Sequence, residues 1–490
     1  MEVKCLAFDL GASSGRAMLG AYDGNSVKLE EIHRFTNEPV CANGTLYWDV
    51  LGLYREIQTG LKKACSAGEV ASLGVDTWGV DFVPLDENGS LLSNPVHYRD
   101  KRTKGQLEKA FTRIAADRLF QATGTQEMEI NTVFQIAALK EKQPDLFAGT
   151  KQILLMPDYF NYLLSGQAKA EKSIASTTQM LATDGQGWSE DVLSAFEIPA
   201  GIMGDIVPAG TVLGPLTTAV KDELNITCQP QVIAVAGHDT QSAMLAVPSQ
   251  EEQFIFLSCG TWSLLGTEIS APLLTEEARL AGFTNEAAAG GKTALLSNLT
   301  GLWLVQECRR AWMRQGKEYS FAELEELAKQ AKALQAFVHP EAEEFMAPGD
   351  MPSRVQDYCR RTGQTVPQSA GEIVRCLYES LALQYRSTVD KLEHCVPDLT
   401  GAPINMVGGG IQSYLLCQMT ADACNRKVKT GPVEATVLGN LLAQLWAQGV
   451  FKNMTEVRQA AERSASIANY QPLQPGPWEQ AYQKWEALPC

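Results

Sequence analysis

Short apolar runs alternate along this chain with longer stretches in which apolar residues recur every three or four positions. The runs KCLAFDL (4–10), SLGVD (72–76), QILLM (152–156), QVIAVAG (231–237), QFIFLSCG (253–260) and INMVGGG (404–410) mostly close on a polar residue or glycine. Each predicts a buried strand whose carboxyl end presents functional groups. Helical periodicity covers 50–66, 302–316, 321–336, 371–395 and 435–449, and EIVRCLYESLALQYRSTVDKLEHC keeps one apolar face for several turns. Strands alternating with helices predict an α/β architecture. At the start, KCLAFDL, the turn GASSGR and the apolar AMLGAY predict a strand, a tight turn and a second strand. That is a hairpin rather than the strand-to-helix turn of a P-loop, and no GxxxxGK[ST] occurs.

Two halves are visible. Both open with a strand, a glycine-bearing turn and a hydroxyl residue, FDLGASSG near residue 8 and FLSCGTWS near residue 256. This is the weak internal likeness of a duplicated fold. The polar break PSQEEQ (248–253) separates them. The expected division is residues 1–247, 248–454 and a terminal segment 455–490 that packs back on the first half.

The length of 490 residues accommodates two or more domains with large cores. A hydrophobic content of 45% with 20% charged residues is that of a globular protein and excludes disorder. The balance of 41 basic against 57 acidic residues, net −16, disfavours nucleic acid and anionic membranes as partners. An anionic ligand must therefore be held by local geometry. No apolar run is long enough for a transmembrane helix, and MEVKCLAFDLGASSGR reads as a first strand rather than a signal peptide. The expected location is the cytoplasm. The 12 cysteines form no CxxC pair and no zinc spacing. They are read as buried, reduced thiols, with Cys359 and Cys376 as the alternative for a disulfide or redox pair.

Five constellations carry chemistry. Asp9-Leu10-Gly11-Ala12-Ser13-Ser14-Gly15-Arg16 combines a tight turn with donors for an oxyanion and a carboxylate that can reach Mg²⁺ through water. Gly237-His238-Asp239-Thr240 places an Asp after an apolar strand, as a proton acceptor or as a helix N-cap. Ser258-Cys259-Gly260-Thr261-Trp262-Ser263 repeats strand, glycine and hydroxyl. Gly408-Gly409-Gly410 clears side chains from a surface where a purine could lie, and Asp76-Thr77-Trp78-Gly79-Val80-Asp81 joins carboxylates and an indole suited to a polyhydroxylated ligand. Each is, taken singly, also compatible with a plain turn or core position.

Their order is more specific than any one of them. LGASSGRAML, DTWGVDF, MPDYF, GHDT, SCGTWS, GLW, VGGG and GPVEATVLGN together span nearly the whole chain. In this the chain resembles the FGGY carbohydrate kinases. The resemblance implies two ribonuclease H-like domains, similar to those of actin, hexokinase and the Hsp70 ATPase, facing each other across a catalytic cleft. It implies ATP and Mg²⁺ as cofactors and a small-molecule ketose as acceptor, with L-rhamnulose expected and L-fuculose, xylulose, ribulose or gluconate as alternatives. A non-enzymatic ATP switch is the rival from another class. By motif, Asp239 is the expected general base. Gly79, Asp81, His238, Thr240 and Asn298 are expected at the sugar, and Ala12, Ser13, Ser14, Gly15, Arg16, Thr261, Gln306 and Gly410 at the nucleotide. Asp9 is expected near the metal, acting through water. A monomer is expected, with no nucleic-acid or membrane partner.

Overall fold

A computed structural model describes residues 2–489. The chain forms two compact units. Unit 1 comprises Met1–Gln250, Glu268–Leu295 and Ala435–Ser464, and unit 2 comprises Glu251–Thr267, Leu296–Glu434 and Ala465–Cys490. The first break falls inside the predicted polar segment PSQEEQ.

The sheet of unit 1 is built from β1 (Val3–Leu10), β2 (Ser14–Tyr22), β3 (Val27–Thr36), β4 (Ser72–Thr77), β5 (Thr211–Pro215) and β6 (Gln231–Ala234), in the order β5-β6-β4-β1-β2-β3. The first hairpin is antiparallel, as the Gly/Ser turn predicts, whereas β4 runs parallel to β1 and β6 parallel to β4. Helix α1 (Val50–Ser66) starts at Asp49, whose side chain accepts from Gly52 N. It buries Leu53, Ile57, Leu61 and Ala64 in one core with Leu6, Phe8 and Leu10 of β1. That is the three-to-four spacing meeting the strand alternation. A separate core gathers Phe82, Val133, Phe134, Ile136 and Phe196.

Unit 2 repeats the pairing plan. Strand β7 (Ile255–Cys259) pairs antiparallel with β8 (Trp262–Ile269) and parallel with β10 (Ile404–Val407), in the order β9 (Thr293–Thr300), β8, β7, β10, β11 (Val428–Thr430), β12 (Asn469–Tyr470). The duplicated α/β fold read from FDLGASSG and FLSCGTWS is therefore present. Among the helices are α2 (Asp239–Leu245), α3 (Trp303–Arg314), α4 (Ala370–Cys395) and α5 (Ala435–Ala447). The pattern over 321–336 yields a shorter helix, Phe321–Gln330. The chain beyond is captured by tertiary partners: Leu334 N donates to Glu379, Phe337 N to Gln364 and Val338 N to Ser380.

Packing departs from the expected division of the chain. Residues 435–464 cluster in unit 1, although the expected division carries the second segment to residue 454. On α5, Asn440 and Gln444 share one face. Asn440 Nδ2 donates to Asp76 Oδ2 at 2.5 Å, and Gln444 Nε2 donates to Leu6 O at 2.9 Å. The terminal segment 455–490 also divides. The helix ending at Ser464 is tied to β3, where Val27 N donates to Ser464 Oγ at 2.8 Å, while residues 465–490 join unit 2, where Trp485 Nε1 donates to Val338 O at 2.9 Å. The all-thiol reading is overturned as well. Cys65, at the end of α1, is disulfide-bonded to Cys228 across 163 residues of sequence, with Cα atoms 6.0 Å apart. Cys359 and Cys376 carry hydrogen-bonded thiols, not a disulfide. Among the described residues no helix is long and apolar enough to cross a membrane.

Candidate active site

Parallel pairing of β1 with β4 sets Asp9 opposite Asp76, and β4 continues into a bridge between Thr77 and His238, with Thr77 N donating to Gly237 O at 2.9 Å. The carboxyl ends of three adjacent parallel strands thus bring Asp9, Asp76 and Asp239 to one edge of the sheet, where open α/β sheets hold ligands. These groups interact. Burial and the Asp9 carboxylate both push the Asp76 carboxyl well above its ordinary range, and Asn440 opposes them. Asp76 Oδ1 is buried without a hydrogen-bond partner. Asp76 and Asn440 escaped residue-level assignment, although both lie inside quoted motifs. Nothing in a linear reading shows that positions 364 residues apart touch.

Asp239 is the first residue of α2 rather than its cap, and His238 occupies the cap position. Its side chain is 34% exposed. Burial raises its carboxyl, the His238 cation opposes the rise, and the Asp9 carboxylate adds to it. Thr240 Oγ1 donates to Asp239 Oδ1 at 3.2 Å, so Thr240 orients the carboxylate. The turn before α2 hangs on Glu171, which accepts from Gly237 N at 2.9 Å and from Ser173 Oγ, while His238 N donates to Ser173 Oγ at 3.2 Å. His238 Nδ1 lies 2.8 Å from Glu286 Oε2. Sequence reading missed Glu171 and Glu286, which sit in no glycine-marked motif.

The N-terminal hairpin turn is closed by Gly11 N donating to Ser14 O at 2.9 Å and clamped by Asn37, whose amide donates to Gly11 O at 2.9 Å. Ala12 and Ser13 are exposed at its tip, Ser14 and Arg16 are half-buried, and Arg16 Nη2 donates to Asp9 Oδ2 at 2.7 Å. Gly15 is buried mid-sheet, and a Cβ there would lie 2.2 Å from the Phe35 ring, so packing requires a glycine at this position.

The surroundings of Asp81 argue against its expected sugar contact. It is 1% exposed, and its oxygens accept from Trp48 Nε1 at 2.6 Å, Trp78 Nε1 at 2.9 Å, Gln135 Nε2 at 2.9 Å and Tyr98 N at 3.2 Å. With these lone pairs engaged it is a bracket for two indoles rather than a sugar contact. Burial pushes its carboxyl up to about 6, against the pull of those donors. Trp48 stacks on His97 at 4.1 Å, and burial pulls His97 down to about 4, so the ring is neutral at pH 7. Beside this aromatic group, Gly79 is partly exposed, with Thr177 atoms 3.1–3.2 Å from where its Cβ would be. Val80 takes φ 68°, a strained state for a β-branched residue, held by Thr177 on its N–H and Thr132 on its carbonyl.

Thr261, Gln306, Gly410 and Asn298 belong to unit 2. Thr261 Oγ1 and the Gln306 amide are 3.2 Å apart, joined where Leu302 N donates to Gly260 O at 2.8 Å and Trp303 N to Thr261 O at 3.1 Å, at the start of α3. Gly410 is buried, with a Cβ there lying 2.3 Å from Cys259 Sγ, whereas Gly409 is exposed with nothing within 4 Å. Of the three glycines, Gly409 is the open surface. Asn298 is partly exposed on β9.

Residues 4–246 match the model of the FGGY family of carbohydrate kinases, N-terminal domain, and residues 255–448 match that of the C-terminal domain. A rhamnulokinase of Bacteroides thetaiotaomicron is 39% identical over 483 residues, covering 98% of this chain and 98% of the relative. A rhamnulokinase of Halalkalibacterium halodurans is 39% identical over 466 residues, covering 95% and 98%. Among solved structures, a gluconate kinase from Lactobacillus acidophilus superposes with a TM-score of 0.82 at 16% identity, covering 99% of this chain and 97% of that one. A xylulose kinase from Rhodospirillum rubrum does so with a TM-score of 0.81 at 16% identity, covering 99% and 98%. At that identity the structural likeness speaks for the fold alone.

Proposed function

Because this chain belongs to the FGGY family of carbohydrate kinases, whose donor substrate is ATP, we propose that it transfers the γ-phosphoryl group to the 1-hydroxyl of L-rhamnulose, giving L-rhamnulose 1-phosphate and ADP. The choice of acceptor is supported by near-full-length identity of 37–39% to three rhamnulokinases. The observation that carries the chemistry is the Asp239 carboxylate at the strand ends beside Asp9 and the Arg16 hairpin.

In the reaction the sugar oxygen forms a bond to the γ-phosphorus as the bond to ADP breaks, and the hydroxyl proton passes to Asp239. A carboxylate is too weak to remove that proton in advance, so it moves late, as the new bond forms. Burial and Asp9 raise the carboxyl of Asp239 and make it a better acceptor at that moment. Thr240 fixes its rotamer, and the exposed tip Ala12-Ser13 with the half-buried Ser14 and Arg16 supplies donors toward phosphate. Among the described residues no three acidic, histidine or cysteine side chains form a direct metal cage. Asp9 would hold, through water, a magnesium ion brought in with the nucleotide. Such an ion would supply charge neutralisation to the transferring phosphate.

A coupled ADP-release assay across a panel of ketoses tests the assignment. The highest kcat/KM is expected with L-rhamnulose. A clear preference for L-fuculose, xylulose or ribulose reassigns the acceptor, and ADP release that ignores every sugar removes the kinase reading.

A further inference from the structure

His238 occupies an asymmetric position. On one side its Nδ1 is 2.8 Å from Glu286 Oε2, and on the other its Nε2 is 3.5 Å from Asp239 Oδ1. The Glu286 side chain is 6% exposed and that of His238 11%, and Gln241 Nε2, one turn along α2, donates to the same Glu286 oxygen at 2.8 Å. Glu286 lies on the strand Thr284–Ala287, whose end is pinned by Ala287 N donating to Ser176 Oγ at 3.0 Å. An ionised carboxylate only accepts, so the proton of this contact sits on Nδ1. A neutral imidazole would then leave Nε2 as a bare acceptor facing the Asp239 carboxylate, a repulsive contact. The arrangement is favourable only when both ring nitrogens carry protons.

We propose that Glu286 is a positioning residue of the phosphotransfer site. It grips His238 through Nδ1 so that the imidazolium presents its Nε2 proton to Asp239, keeping the base ionised and oriented until the sugar hydroxyl gives up its proton. The inference rests on the kinase reading of Asp239. No atom is transferred to Glu286, which acts through His238.

The surroundings agree. Burial by itself lowers His238, but Glu286, with smaller contributions from Asp239 and from Glu171 at the turn below, carries it up to about 9. Glu286 is held below its ordinary value by the same cation despite its burial. Asp239 faces the Asp9 and Asp76 carboxylates from β1 and β4, so His238 is the nearby charge that favours its ionised form. Without that cation, burial and the Asp9 carboxylate, itself paired with Arg16, would favour the protonated base.

The test is the pH dependence of kcat for wild type, Glu286→Gln and Glu286→Asp, with NMR titration of the His238 ring in protein free of sugar and nucleotide. In wild type, His238 is expected to titrate near 9. In Glu286→Gln its titration is expected to fall by about one pH unit or more. The basic limb of kcat should move down with it, the acidic limb should move up, and the KM for ATP should hold. Glu286→Asp should restore part of both shifts. A wild-type His238 that titrates below neutrality overturns the proposal, even if Glu286→Gln does not fold. So does a Glu286→Gln enzyme whose limbs stay in place while activity falls only with the folded fraction. If no ketose is phosphorylated by wild type, the kinase reading fails, and the titration still decides whether Glu286 protonates His238.

Discussion

Asp239 and Asp81 are both carboxylates with raised pKa values, yet their environments assign them opposite roles. Asp239 is 34% exposed and beside other acids, whereas Asp81 is enclosed by donors. Asp239→Asn is expected to lower kcat by about 10²-fold or more while ATP still binds, checked by turnover and calorimetry. The Asp81 case is a stability prediction. Its folded value of about 6 lies above the unfolded value near 3.9, so the native state binds the proton more tightly. The stability that proton confers is complete below about pH 4 and is lost as pH rises through 6, on the order of 2–3 kcal/mol. Asp81→Asn should flatten that part of the unfolding free-energy profile in urea titrations from pH 4 to pH 7. An unchanged slope would place the proton elsewhere. At this scale the sequence marked both residues by motif but could not separate them, because the difference lies in who donates to each oxygen.

Helix α5 is apolar and was readable as a helix, but its place was not. It packs on α2 so closely that a Cβ on Gly439 would lie 1.7 Å from the Ser242 carbonyl oxygen, and the next residue, Asn440, holds Asp76. Gly439→Ala is therefore expected to cost about 1–3 kcal/mol and to reduce kcat by displacing the helix that begins with Asp239. Gly409→Ala, in open space, should leave the melting temperature unchanged. Equal melting temperatures for both variants would contradict the contact. The hairpin β1–β2 behaves differently. Its turn and register follow from local chemistry, which is why Asp9, Ala12, Ser13, Ser14 and Arg16 could be read as one motif. The packing that requires Gly15 was not legible there, because its neighbour Phe35 comes from β3, twenty residues on.

For the whole molecule, the division of the chain matters more than its length. Unit 1 needs residues from three separate segments, and without 435–464 the buried Asp76 Oδ2, Leu6 O and Ser72 hydroxyl lose Asn440 and Gln444. A fragment of residues 1–250 is expected to show no cooperative thermal transition, whereas joining residues 268–295 and 435–464 to it should restore one. A fragment that melts cooperatively by itself would refute this dependence. The sequence by itself determined the strands, the principal helices, the two-fold repetition and the glycine and acidic motifs, since periodicity, turn residues and capping act over a few positions. Tertiary structure alone decided that α5 closes unit 1, that Cys65 meets Cys228 and that Glu286 stands behind His238. It also decided that Asp76 shares its field with Asp9 and Asp239. Each joins residues far apart in the chain, and whether buried charges attract, repel or share a proton depends on distances that only the packed strands and helices define.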